Sequence, residues 1–137
     1  TAVSRLSLFA VKPLEKSIES DPIKLLKQLY SKGEFTVADG RKAVEQASPQ
    51  VACTIYHEAG RDTKWFKAYD PYILDGPDVD NAFNFGIGQL SPDGKLVEFF
   101  RLGYDNPFNP YQVVSYMNYA FMRAQQWAWG PTNQGLC

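Results

Sequence analysis

The chain has 137 residues, 45% of them hydrophobic and 21% charged, with 14 basic against 15 acidic side chains and a net charge of -1. That length holds one hydrophobic core rather than two, so a single domain over residues 1–137 is expected. The even charge balance excludes an electrostatic footprint for nucleic acid or an anionic membrane, and no apolar run reaches the roughly 18 residues that would span a bilayer.

Residues 1–20 mix short apolar and polar runs and assign no element. "SDPIKLLKQLYSKG" reads as a helix, with Ser20 or Asp21 as cap, Pro22 in the first turn, Ile23, Leu26, Leu29 and Tyr30 on one face, and Gly33 as the stop. "DGRKAVEQA" predicts a short helical piece from about Gly40 to Ala47. "SPQVACTIYHEAG" restarts with Ser48 as cap and Pro49 in the first turn. Its apolar stripe is Val51, Ala52, Ile55 and Tyr56, and it delivers Glu58 to the C-terminal end of the helix, beside the only histidine, His57.

From Arg61 to Asn84 the chain is too rich in Asp, Pro and Gly for a long helix, and a loop of this length is usually functional or carries a short sheet. It holds Asp70, Asp75, Asp78 and Asp80, at least three of which the turn chemistry of Asp explains. "FNFGIGQLSPDG" reads as a strand or hairpin edge with a turn at Pro92–Gly94. "KLVEFFRLG" predicts a short helix ending at Gly103. "DNPFNPYQVVSYMNYAFMRAQQWAWG" predicts a longer one, with Asn109 as cap, Pro110 leading, and Val113, Val114, Met117, Ala120, Phe121 and Ala124 inward. The expected fold class is mainly α (α+β), several helices with one small β element. Aromatic residues make up 15% of the chain and cluster in Gly-, Pro- and Asn-rich segments, which suits a ring-lined groove and core filling equally.

Cys53 and Cys137 are the only cysteines. Their pairing would close a loop over more than half of the chain, stabilise the fold by roughly 4–5 kcal/mol, and imply an oxidising compartment. A start at Thr1 rather than Met fits a processed chain, but the expectation of secretion rests mainly on these cysteines.

The chemistry centres on Glu58. A helix C-terminus carries about half a negative charge, and a partly buried acid placed there is both desolvated and repelled, so its neutral form is favoured. Such a group can donate a proton near neutral pH, as glycoside cleavage requires of its general acid. The plain alternative is a surface carboxylate at a helix end, paired with Arg61 or Lys64. About 30 residues on, Gly86-Ile87-Gly88-Gln89 sets bare backbone beside one amide, which lets an extended ligand approach the main chain while Gln89 donates and accepts hydrogen bonds.

With "IYHEAG" followed by "FGIGQL", the chain resembles the lysozyme-like superfamily around goose-type lysozymes and lytic transglycosylases, over roughly residues 48–130. In that group a helix ends in the catalytic Glu and a short β region carries an "FGLMQ"-like motif, and the stretch from Asp105 to Gly130 is similar to the region where some members place an Asp-Pro-x-x-Asn turn, a helix and a Trp-rich end. Ile87-Gly88 here replaces the usual Leu-Met, and Ser91 stands where goose-type enzymes carry another acid. The resemblance implies Glu58 as proton donor and Gln89 as a groove residue, with Asp80 the nearest counterpart of a second carboxylate; Asp70 is the alternative to Asp80, and Gly88, Tyr69 and Trp127 are further candidate groove contacts. The implied activity is cleavage of a β-1,4-linked amino-sugar polymer, most simply peptidoglycan, by hydrolysis or by transglycosylation. Chitin is the close competitor as substrate, and a glycan-binding or effector protein without turnover is the competitor from another class.

No cofactor is implied. One His and two Cys are too few for a zinc site of the usual kind. "DGPDVDN" lacks the spacing of a calcium loop, and His57 at the helix end reads as a cation stabilised by the dipole. A secreted monomer acting on a polysaccharide, with neither nucleic acid nor membrane as partner, is the resulting expectation.

Overall fold

The computed structural model describes residues 22–58, 69–125, 129, 135 and 137. Among these the chain is helical, with α1 at Pro22–Lys32, α2 at Val37–Val44, α3 at Pro49–Tyr56, a 3-10 turn at Val79–Asn81, α4 at Lys95–Arg101 and α5 at Pro110–Met122. The predicted mainly α class holds. The small β element reduces to two isolated antiparallel bridges that share Phe85, one to Leu74 and one to Leu90.

Local chemistry accounts for the starts. Ser48 accepts a hydrogen bond from the Val51 N–H and Pro49 follows it, while Asn109 accepts from the N–H groups of Tyr111 and Gln112 ahead of α5. α2 begins three residues before the predicted Gly40. Thr36 and Asp39 form a reciprocal capping box that satisfies the first free N–H groups there, and the chain leaves the helix in a tight turn after Val44. Gly33 and Gly103 close α1 and α4 with positive φ (57° and 97°). The expected caps of α1, Ser20 and Asp21, lie outside the described residues.

α5 is the spine, packing against α2 and α3 while α1 packs against the 3-10 turn. Val113, Val114, Met117 and Ala120 are buried as the periodicity predicts, and Tyr116 joins them. Ala124 lies past the end of α5, exposed and with φ 59°, so it is not part of the inward stripe. On α3 the buried face is Val51, Thr54 and Ile55, whereas Tyr56 is 44% exposed. Thr54 is admitted because its hydroxyl donates to the Gln50 carbonyl (2.8 Å), which leaves its methyl to pack. The Asn118 side chain accepts from Ser48 N–H and donates to the Gln46 carbonyl, fastening the α2–α3 turn to α5.

The rings go mainly to the core. Tyr72 stacks on Phe108, which meets Phe85 edge-on, and Phe99 stacks on Tyr104 and meets Tyr116 edge-on. The Tyr116 hydroxyl donates to Glu98 at 2.7 Å, and burial together with that carboxylate drives its ionisation far above the usual tyrosine range. Cys53 and Cys137 are joined as a disulfide, Cα–Cα 5.8 Å, across a sequence separation of 84. No helix among the described residues is long and apolar enough to cross a membrane.

Candidate active site at the end of helix α3

α3 loses its regular spacing at its last turn, where His57 and Glu58 adopt π-helical geometry, a widening that re-aims side chains and recurs at functional positions. Glu58 is half-buried there. His57 is 8% exposed and meets the Tyr56 ring edge-on.

Lys95, the first residue of α4, is the neighbour that the sequence did not indicate. Burial pushes its ammonium below the ordinary lysine range, and the Glu58 carboxylate is close enough to pull it partly back up. Lys95 Nζ also sits 4.7 Å from the centroid of the Trp129 ring, in cation–π contact. Trp129 is buried and donates its indole N–H to the Gly88 carbonyl at 2.9 Å. Lys95, Trp129 and the Gly86–Gln89 turn are joined by direct contacts, and Glu58 acts on Lys95 through its charge.

The turn itself is self-contained. Phe85 and Leu90 exchange both backbone hydrogen bonds (3.1 Å each), and Gly86 N–H donates to the Ile73 carbonyl. Gln89 is 4% exposed with φ 49°, and its side-chain amide donates back to the Gly86 carbonyl at 2.8 Å. A buried non-glycine residue in the left-handed region is held by its surroundings, here by that amide and by the backbone bond of Gln89 to the same carbonyl. Both glycines are approached by the chain's own atoms. A Cβ on Gly86 would strike the Pro107 carbonyl oxygen, and one on Gly88 would come within 2.7 Å of the Val113 side chain. The whole turn from Phe85 to Leu90 is buried, and the Gly86 and Gly88 carbonyls accept from Gln89 and Trp129, so the turn faces the protein's own atoms.

The described acids of the preceding loop, Asp70, Asp75, Asp78 and Asp80, are each engaged, and Asp62 lies outside the described residues. Asp70 accepts from Tyr72 N–H, Asp75 from the Asn84 side chain, and Asp78 from the backbone and side chain of Asn81. Asp80, the candidate second carboxylate, pairs with Lys27 of α1 at 2.7 Å, both about half exposed. Tyr69 is half-buried with φ 63°, and its carbonyl packs on α2 so closely that only glycine fits at Gly40. Trp127, Arg61 and Lys64 lie outside the described residues. A separate depression of about 370 Å³ opens between α2 and α5, lined by Ala43, Tyr111, Val114 and Met122 among others, and none of the Glu58 cluster borders it.

One further grouping was not legible. The donor atoms of Cys53, His57 and Cys137 lie within 4.8 Å of one another, so the few potential zinc ligands of this chain converge. Of the cluster around Glu58, the Trp-rich end was visible in sequence, but no local signal marks Lys95, which lies 37 residues after Glu58. No known protein family, curated protein or solved structure matches the chain.

Proposed function

We propose that the protein is a lysozyme-like glycosidase that cleaves a β-1,4-linked amino-sugar polymer of the peptidoglycan type outside the cell, with Glu58 as the general acid. What carries this reading is the convergence of the half-buried Glu58, through Lys95 and Trp129, on the same glycine-bearing turn that the motif pairing singled out. Glu58 gives its proton to the glycosidic oxygen as the sugar–oxygen bond breaks. Among the described acids of the loop Asp70, Asp75 and Asp78 are engaged in turns and Asp80 is paired with Lys27, which supports assigning the second step to the substrate's own hydroxyl, attacking the anomeric carbon and returning a proton to Glu58. The disulfide suits an oxidising compartment, which supports an extracellular site of action.

Lys95 favours a second reading. Its charge lies within electrostatic reach of Glu58, and a Glu58 carboxylate held ionised would accept hydrogen bonds from sugar hydroxyls without turnover. The test is release of soluble fragments from purified cell wall by the parent and by Glu58→Gln, with pull-down of both on the same wall. Loss of turnover by at least about a hundredfold with retained binding is expected for a general acid. A parent that binds wall or chitin without releasing fragments establishes the glycan-binding reading instead. Fragments with an anhydro end identify internal attack, and reducing ends identify hydrolysis.

A further inference from the structure

We infer that Cys53, His57 and Cys137 form a redox-gated site for one thiophilic divalent cation of the zinc type: a covalent cross-link when oxidised and a metal clip when reduced. Cys53 and His57 are four residues apart at the end of α3, a spacing that stacks side chains on one helix face. Cys137 is brought to that face by the cross-link, and its backbone oxygen accepts from the Gln50 side chain at 3.4 Å. The three donor atoms lie within 4.8 Å of one another. Tetrahedral zinc, with zinc–sulfur near 2.3 Å and zinc–nitrogen near 2.0–2.1 Å, needs its ligand atoms roughly 3.5–3.8 Å apart. Opening the sulfur–sulfur bond and drawing the buried imidazole in to bonding distance are therefore the displacements required.

The chemistry balances with an external reductant. A phosphine delivers two electrons to the disulfide and becomes its oxide with oxygen from water, while the sulfurs become two thiols. Metal binding then expels both thiol protons, giving two thiolates and a neutral imidazole around a dication with a fourth position open to water. Two thiolates cancel the charge of the ion, which suits a partly buried setting. Either state ties Cys137 to the helix that carries Glu58, so the clamp persists where a disulfide does not survive. This inference needs only the fold and is independent of glycan cleavage.

The experiment is a Co²⁺ titration of the whole chain, oxidised and phosphine-reduced, under anaerobic conditions. The reduced protein should take up one equivalent, with a near-ultraviolet sulfur-to-cobalt charge-transfer band and the visible bands of a tetrahedral ion, both displaced by Zn²⁺, while the oxidised protein shows neither. His57→Ala, checked for folding in its oxidised form, should bind more than about tenfold more weakly when reduced, and Cys137→Ser should lose the bands. Absence of the charge-transfer band from the reduced parent overturns the inference, as does equal affinity in His57→Ala, which would mean two free thiols capturing the ion unaided. If reduction unfolds the chain, restoration of its far-ultraviolet circular dichroism by Co²⁺ supports the site, and failure to restore it overturns the site.

Discussion

The two halves of the Glu58 cluster are built in opposite ways. The Phe85–Leu90 turn closes on itself within six residues, through two backbone bonds and the Gln89 amide. The α3 terminus has no such closure. It is held by a bond from Cys53 to Cys137, 84 residues on, and its Glu58 interacts by charge with Lys95 of α4, which Trp129 covers from beyond α5. Closing a short loop costs little chain entropy, so the turn can form on local terms. The helix end depends on ties that only the complete fold supplies.

The largest effect should therefore come from cutting the long tie. Cys53→Ser removes a cross-link over 84 residues, and the chain-entropy relation puts the loss at about 4–5 kcal/mol. That is a large share of the stability of a single domain, so urea unfolding should shift to a much lower midpoint. A loss below about 1 kcal/mol would mean that the C-terminal segment is held by packing alone.

Straining the local half should cost less. Gly86 has φ 75° and no room for a Cβ beside the Pro107 carbonyl, so Gly86→Ala combines a left-handed backbone with a backbone clash, about 2–4 kcal/mol. Gly33, with φ 57° and open space around it, supplies the strain alone, and Gly33→Ala should cost about 1–2 kcal/mol. The difference between these midpoints measures the close approach. Trp129→Phe then tests the bridge between the halves. It removes the hydrogen bond to the buried Gly88 carbonyl and should cost about 1–3 kcal/mol in the same measurement.

What could be read from the sequence follows the same division. Ser48-Pro49 and Asn109-Pro110 were legible as helix starts because capping is decided within three residues. Thr36 with Asp39 carried the same kind of signal, which would have moved the start of α2 to Val37. The small β element was overread. Phe85 does pair with Leu74 and Leu90, but the glycines that suggested an extended edge instead make a tight turn against Pro107 and Val113. On α3, hydropathy placed Tyr56 inward and left out Thr54, whose hydroxyl is satisfied by its own helix. Glu58 at a helix end was legible. The approach of Lys95, and the convergence of His57 on both cysteines, are products of tertiary packing that no local pattern encodes.

The smallest expected effect lies away from the cluster, where α2 meets α5. Tyr111 donates its hydroxyl to Asp39 at 2.9 Å, and this one bond acts on both ends of the pH range. The Asp39 carboxyl is held below its usual range by the Thr36 backbone N–H and then by Tyr111, so its contribution is present above the unfolded carboxylate value near 4 and fades as pH falls through the lower folded value. Tyr111 is raised, chiefly by the same bond to Asp39, so its contribution is present below the unfolded phenol value near 10 and fades as pH climbs through the higher folded one. Tyr111→Phe removes the bond from both limbs. It should make the acid loss of stability shallower without abolishing it, because the Thr36 N–H still favours the carboxylate. On the alkaline side the loss should also shrink but persist, because the buried Tyr116 keeps its own raised ionisation against Glu98. Denaturant midpoints measured across both limbs check this, and an acid limb that is identical in the two proteins would show that Thr36 alone holds Asp39 ionised.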